Sequence, residues 1–247
     1  MRYLVTGMNG TVAPALARHL RTRGDDVVAW DRNTDPPESE AATRGFIERH
    51  RPDWVCHVAT GAPAWAEWIA RACAGAGPRL LWTGSVSVFG PNAVAPLLAT
   101  TTPDAEDDYG RYKIECERRV LKACPNSVVA RLGWQVGEAP GSNTMTDFLT
   151  KRAAENGGRV EASTAWTPSC AWLPDTAAAM AGLMDSGTAG VYHLEGNQAG
   201  MTLHELACAI NKRLGAGWNV VATDSPRQDN RMSDARVRMG QLRGALG

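Results

Sequence analysis

Tyr109 and Lys113 stand four residues apart in the run Tyr109-Gly110-Arg111-Tyr112-Lys113. On a helix that spacing puts both side chains on one face, one turn apart. A phenol titrates near about 10, too high for proton transfer around neutrality, and a neighbouring ammonium favours the phenolate and lowers that value. The pair is therefore suited to acid–base work on an oxygen. Tyr-x-x-x-Lys alone is common, and an isolated match describes a solvated helix pair. A second hydroxyl gives this one weight: Thr83-Gly84-Ser85-Val86-Ser87-Val88-Phe89-Gly90 closes an apolar run. A hydroxyl at the C-terminal edge of a parallel strand faces the crevice where open α/β sheets bind ligands. Ser85 is placed to polarise a carbonyl, with strand-end capping as its plain alternative and Ser87 as the rival hydroxyl.

A third element lies at the N-terminus. Thr6-Gly7-Met8-Asn9-Gly10-Thr11-Val12-Ala13 reads G-x-x-G-x-x-A between an expected strand and an expected helix. Such glycines permit a tight turn and bring backbone N–H groups and a helix N-terminus to a pyrophosphate. Asp31 falls roughly 20 residues further on, at the end of the second strand, where a carboxylate accepts from the adenine ribose hydroxyls. That favours NAD. The adjacent Arg32 suits a ribose 2′-phosphate, so NADP stays open. The positive ring of an oxidised nicotinamide beside Tyr109 also favours the phenolate, and the reductive reaction is hydride delivery to a carbonyl with proton donation from the phenol.

The elements that must position these groups alternate along the chain. Arg2 to Gly7, Asp26 to Asp31, Asp53 to Ala59, Arg79 to Ser85 and Ser127 to Gly133 read as strands that are apolar almost throughout. That is the pattern of strands buried on both faces of a parallel sheet. Helices are expected over Thr11 to Gly24, Ala64 to Ala74 and Asp107 to Cys124, and the polar, Pro-rich segment Asn33 to Glu40 reads as a surface loop. The fold class is α/β, a Rossmann-like doubly wound parallel sheet. Residues 1–135 read as mainly dinucleotide-binding. Residues 136–247 read as a small C-terminal substrate-binding lobe, with some strands returning to the sheet. Its expected elements are helices over Thr144 to Glu155, Asp175 to Met184 and Thr202 to Leu214 and a strand over 190–196, with a polar, Trp-containing connection after Gly157-Gly158. The Arg-rich last ~20 residues are partly helical and not an independent unit.

The chain has 247 residues, with 26 Lys plus Arg against 26 Asp plus Glu. Zero net charge gives no electrostatic reason to expect a nucleic-acid or membrane partner. The six cysteines form no Cys-x-x-Cys pair and none stands at metal-ligand spacing with the five histidines. They read as reduced thiols, and no metal site is expected. With no apolar leader or membrane-length run, a cytoplasmic location is expected. His57 sits inside an apolar run and reads as a hydrogen-bonded core histidine.

TGMNGTVA, the strand-end serine followed by VFG, and YGRYK, in that order, resemble the extended short-chain dehydrogenase/reductase superfamily. Within it the chain resembles the dTDP-4-dehydrorhamnose reductase family of sugar-nucleotide ketoreductases, through RPDWVCHVAT, YGRYKIECE, RLGWQVGE and GVYHLEG. The resemblance implies catalytic roles for Tyr109, Lys113 and Ser85, with Lys113 also on the nicotinamide ribose. It implies a nucleotide-activated sugar or related polar carbonyl compound as substrate. Where that family has Asn-Ala-Ala, this chain has His57-Val58-Ala59-Thr60, whose backbone is expected to line the cofactor. Arg131, Trp134 and Arg231 are candidate substrate contacts, the arginines suiting a diphosphate. Packing and surface charge are the alternative for all three. Trp65 and Trp68 read as core or subunit interface, and the resemblance implies a homodimer formed through their helix and the Tyr109 helix.

An NAD(P)-binding epimerase of the same superfamily reuses the same triad. A non-catalytic NAD(P)-binding sensor or scaffold would keep the fold, but has no need of Ser85, Tyr109 and Lys113 together. Val86 and Ser87 supply none of the acidic residues a dehydratase carries, and no Gly-x-Ser-x-Gly marks a hydrolase.

Overall fold

A computed structural model describes all 247 residues. The first half runs β1 (Arg2–Thr6), α1 (Val12–Thr22), β2 (Asp26–Trp30), α2 (Glu40–His50), β3 (Trp54–His57), α3 (Pro63–Cys73), β4 (Arg79–Ser85), a short 3-10 turn (Val86–Val88), β5 (Leu97–Leu98), α4 (Asp108–Ala123) and β6 (Val128–Leu132). The second half runs β7 (Trp134–Val136), α5 (Met145–Glu155), β8 (Arg159–Ser163), β9 (Trp166–Thr167), β10 (Cys170–Trp172), α6 (Leu173–Ser186), β11 (Gly190–Leu194), α7 (Leu203–Leu214), β12 (Asn219–Thr223), β13 (Gln228–Asp229), β14 (Met232–Ser233) and α8 (Leu242–Leu246).

Six strands form one parallel sheet in the order β11-β6-β4-β3-β1-β2. Chain order reverses between β1 and β3, and the crevice outside the carboxyl ends of those two strands is where such sheets bind ligands. The apolar runs are explained by burial on both faces. Tyr3 and Val5 of β1 meet Leu16 and Leu20 of α1 and Met180 of α6 on one side. Leu4 points the other way, toward Phe46 of α2, Ile69 of α3 and Val120 of α4. Trp65 lies in that second core and Trp68 packs half-buried against it.

The lobe has its own core, in which Met145 and Leu149 of α5, Leu206 and Ile210 of α7, and Leu242 of α8 pack beside the pairs β8–β12 and β7–β10. The second half also completes the first, because β11 takes the sheet edge beside β6 and α6 packs on α1. β8 and β12 are absent from the sequence reading. Each is five residues long; β8 buries three of its residues and β12 none fully, so neither carries the apolar run that marks the central strands. The expected strand over 190–196 stops at Leu194, where the chain turns toward Glu195 and Asn197, both buried.

Candidate active site

Thr6 organises the nucleotide end. Its hydroxyl oxygen accepts from the N–H groups of Val58 (3.0 Å) and Ala59 (3.1 Å), and His57 Nδ1 lies 2.9 Å away. With both acceptor positions filled, the single Thr6 proton goes to His57 Nδ1. His57 is therefore neutral with its proton on Nε2, and burial first, then the Lys113 charge, pushes its pKa down to about 3. The hub pins the end of β3 against the end of β1, and only glycine fits the turn that follows. Gly7 has φ +86°, and a Cβ there would come within 2.9 Å of the Ala59 nitrogen. Gly10 closes the turn by donating to the Gly7 carbonyl at 2.9 Å. The first turn of α1 carries no acidic side chain that would oppose a phosphate.

At the tip of β2 the Asp31 carboxylate accepts from Asn33 N at 2.9 Å. Arg32 reaches across and donates from Nη1 to the Thr60 carbonyl at 2.9 Å. On the opposite side the Thr11 hydroxyl meets Ser142 Oγ at 2.6 Å and accepts from Asn143 N at 3.1 Å. The turn is thereby tied to the loop before α5.

The placement of Ser85, Tyr109 and Lys113 is set by how α4 lies on the end of β4. Asp107 caps the helix by accepting from Gly110 N at 2.9 Å. Gly110 lets the helix seat there, since a Cβ would collide with the Ser87 carbonyl and with Ala105. Lys113 is 4% exposed; its ammonium donates to the Thr83 carbonyl at 3.0 Å and stands 5.0 Å from the centre of the Trp82 ring. Burial pulls its pKa down to about 8. Tyr109 is half exposed, one turn above it, with the ammonium 6.0 Å from its ring centre. Ser85 Oγ accepts from Ser87 N at 3.1 Å, which leaves the serine proton free to donate.

The sequence leads to the expectation of a phenol made more acidic by Lys113 together with the positive ring of an oxidised nicotinamide. In the structure the Tyr109 pKa is instead raised, because desolvation outweighs the neighbouring Ser85 hydroxyl, which acts to lower it. The phenol therefore holds its proton in the free protein.

One cavity of about 850 Å³ joins these parts. Gly7, Met8, Asn9, Gly10, Thr11 and Val12 line it, as do Asp31, Arg32, Val58, Ala59 and Thr60. So do Ser85, Ser87, Tyr109, Lys113 and Trp134. Two expected contacts lie outside it. Arg131 is 3% exposed and reaches into the core instead, donating from Nε to Glu117 of α4 at 3.0 Å and pairing with His193 Nε2 at 3.2 Å. Its stem crosses Gly84, where a Cβ would come within 2.9 Å of Arg131 Cγ. Arg231 is held by the Asp229 carboxylate, with Nη2 to Oδ2 at 2.6 Å, and by the Gln198 carbonyl.

Among the lining residues that the sequence did not single out as site residues are four from the second half of the chain with polar or aromatic side chains: Gln135, Asn143, Trp166 and Asn230. Asn230 arrives because the buried Glu195 carboxylate gathers the N–H groups of Cys170, Asn197 and Met232, which draws the C-terminal tail onto the lobe. No local signal in the tail announces that contact. All six cysteines are free thiols, five of them buried. No helix is long and apolar enough to cross a membrane.

The side-chain-free cradle at Gly7 and Gly10, the N-terminus of α1 and the carboxylate at the tip of β2 fit a dinucleotide. The family described as the RmlD substrate binding domain matches residues 62–245. A dTDP-4-dehydrorhamnose reductase of Streptomyces griseus is 30% identical over 87% of this chain and 77% of its own length. The crystal structure of dTDP-4-dehydrorhamnose reductase from Bacillus anthracis, in complex with NADP, superposes with a TM-score of 0.86 at 16% identity, covering 99% of this chain and 96% of that one. The Bordetella bronchiseptica enzyme WbmH, in complex with NAD+, gives a TM-score of 0.78 at 16% identity, over 99% and 95% of the two chains. At those identities the two structures speak for the fold alone. The family match and the Streptomyces relative decide the assignment: the chain belongs to the RmlD family of the extended short-chain dehydrogenase/reductases, a group of oxidoreductase enzymes.

Proposed function

We propose that this protein reduces a carbonyl group, of a nucleotide-activated sugar or a related polar substrate, using NAD(P)H, with Tyr109 as the proton donor. The observation that carries the reading is the convergence of Ser85, Tyr109 and Lys113 on one wall of the cavity that the glycine turn also lines. Gly7 to Val12 would hold the pyrophosphate through backbone N–H groups, and Val58, Ala59 and Thr60 would back the cofactor. When bound, the cofactor supplies the hydride.

The chain's own groups handle the oxygen. Ser85 donates its free proton to the carbonyl oxygen and favours the negative charge that develops there. Tyr109 Oη then passes its proton to the same oxygen. The raised phenol pKa suits this direction, because the acid is fully protonated at neutral pH. Lys113, charged below about 8, offsets the phenolate left behind. Its position beside Tyr109 also matches a contact with the nicotinamide ribose. NADP is supported by Arg32, whose guanidinium lies on the cavity wall with one nitrogen engaged by Thr60. NAD is supported by Asp31, one of whose oxygens is taken by Asn33.

Two further features belong to this reading. α3 and α4 lie side by side on one sheet face with charged outer surfaces joined by Glu67–Arg119, and they form the face through which we place a homodimer. The unpaired thiols support a cytoplasmic location.

Replacing Tyr109 by Phe is expected to lower turnover by about 10²- to 10⁴-fold, the range proton transfer contributes, while NADPH affinity stays unchanged. Turnover at the unaltered rate overturns the assignment. In calorimetric titrations Asp31→Ala should weaken NADH binding more than NADPH binding, and Arg32→Ala should do the reverse. Equal losses for both cofactors would remove these two residues from the preference. A light-scattering mass of a single chain would dispose of the dimer.

A further inference from the structure

Two aromatic side chains of this chain are exposed to solvent, Tyr109 and Phe148. Tyr109 belongs to the site already described, and Phe148 has no part in it. Phe148 packs edge-on against Trp134, with ring centres 5.2 Å apart, and Trp134 lies near-parallel to Trp166 at 6.4 Å. Both tryptophans line the cavity, so an aromatic row runs from inside it to the surface of α5. Arg152 ends the row. It stands one helical turn beyond Phe148 on the same face of α5, with its guanidinium carbon 5.3 Å from the centre of the Phe148 ring. The other cation of that helix, Lys151, is paired with Asp147 at 2.8 Å. The Arg152 guanidinium has no carboxylate or carbonyl partner. The Phe148 face holds it without using any of its N–H donors. A basic residue in the last turn of a helix is ordinary, since it meets the negative end of the helix dipole. That does not account for a phenyl ring left in solvent between this cation and the cavity wall.

Inside the cavity the lobe side offers Gln135, Asn143, Ser169 and Asn230 beside the two indoles. Neutral polar groups and apolar ring faces suit a sugar ring and its hydroxyls. A diphosphate is best met by a guanidinium, whose planar fork donates two hydrogen bonds to neighbouring oxygens. Arg131 and Arg231, the arginines expected from the sequence, are committed to Glu117 and Asp229. We infer that Arg152 binds the diphosphate of the nucleotide-activated sugar, while the sugar ring lies along Trp134 with its carbonyl at Ser85 and Tyr109. Phe148 strengthens the contact by keeping water from one face of the guanidinium. Arg152 is thus a determinant of affinity and specificity that stands away from the reacting atoms. The inference rests on the reductase reading and assigns the residue that recognises phosphate in that site.

The test uses the full-length protein saturated with NADPH, and dTDP as the binding probe. Calorimetry on Arg152→Ala should show dTDP held about tenfold more weakly, the order of one charge-assisted contact. Arg152→Lys should fall in between, because it keeps the charge and loses the fork. The loss should shrink as salt rises from ~50 to ~500 mM, and NADPH affinity should stay unchanged. Arg159→Ala removes another lobe arginine, one paired with Glu161, and should bind dTDP as the unaltered chain does. In initial-rate measurements Arg152→Ala should raise KM for dTDP-4-keto-6-deoxyglucose about tenfold with little change in kcat. Equal dTDP affinity with and without the guanidinium, an equal loss in Arg159→Ala, or no dTDP binding by the unaltered chain would each overturn the inference. Unaltered protein that binds dTDP through Arg152 but reduces no nucleotide sugar would sink the reductase reading instead and leave the contact standing.

Discussion

A lysine ammonium buried at the end of a parallel strand dictates much of the architecture around it. Lys113 meets one protein acceptor, the Thr83 carbonyl, and the face of Trp82, so its charge survives burial only while α4 stays seated on the end of β4. The packing serves that seat. Gly110 removes the side chain that would lift the helix off the 3-10 turn, and Asp107 fixes where the helix starts. Two turns further on, Glu117 takes the Arg131 guanidinium, whose stem needs Gly84 to cross β4. His193 accepts from the same guanidinium through Nε2 and donates through Nδ1 to Leu97, so burial leaves it neutral with its pKa down to about 4. The buried pair is strongly held only as a pair, since removing either partner would strand a charge in the core. Tyr109 and Ser85 thus owe much of their placement to contacts made by the residues around them.

The nucleotide end is built by an independent device of the same kind. One threonine hydroxyl satisfies two backbone N–H groups and fixes a histidine tautomer, and in doing so joins the tips of β1 and β3 at the point where chain order reverses. His57 has none of the properties of a base or metal ligand there. It is a neutral spacer that completes the Thr6 hydroxyl's bonds.

What the sequence discloses follows from what is local. The strands buried on both faces, the glycine turn, Asp31 at its distance from that turn, and the tyrosine and lysine one helical turn apart are all short-range patterns. The structure brings them together in one cavity. The lobe is less legible because its pieces are short and meet across long separations. β8 pairs with β12 some sixty positions on, and Asn230 reaches the cavity only through the contacts of Glu195. Arg131 misleads for a related reason: an arginine in an apolar strand looks like a ligand contact until Glu117, fourteen residues earlier, is seen to face it. The direction of the Tyr109 shift in the free protein is not legible in the sequence, because helical spacing reports which charge is near but not how far the phenol itself is desolvated.

The central claim is that the Lys113 amine is buried against the Thr83 carbonyl beneath the phenol. It is open to direct observation, because the chain has only four lysines. Titration of the Lys113 Nζ resonance in lysine-¹⁵N-labelled protein, assigned by its loss in Lys113→Arg, should give a midpoint near about 8. A midpoint at the ordinary lysine value of about 10.4 would mean a solvated amine, and would contradict the arrangement on which the site depends.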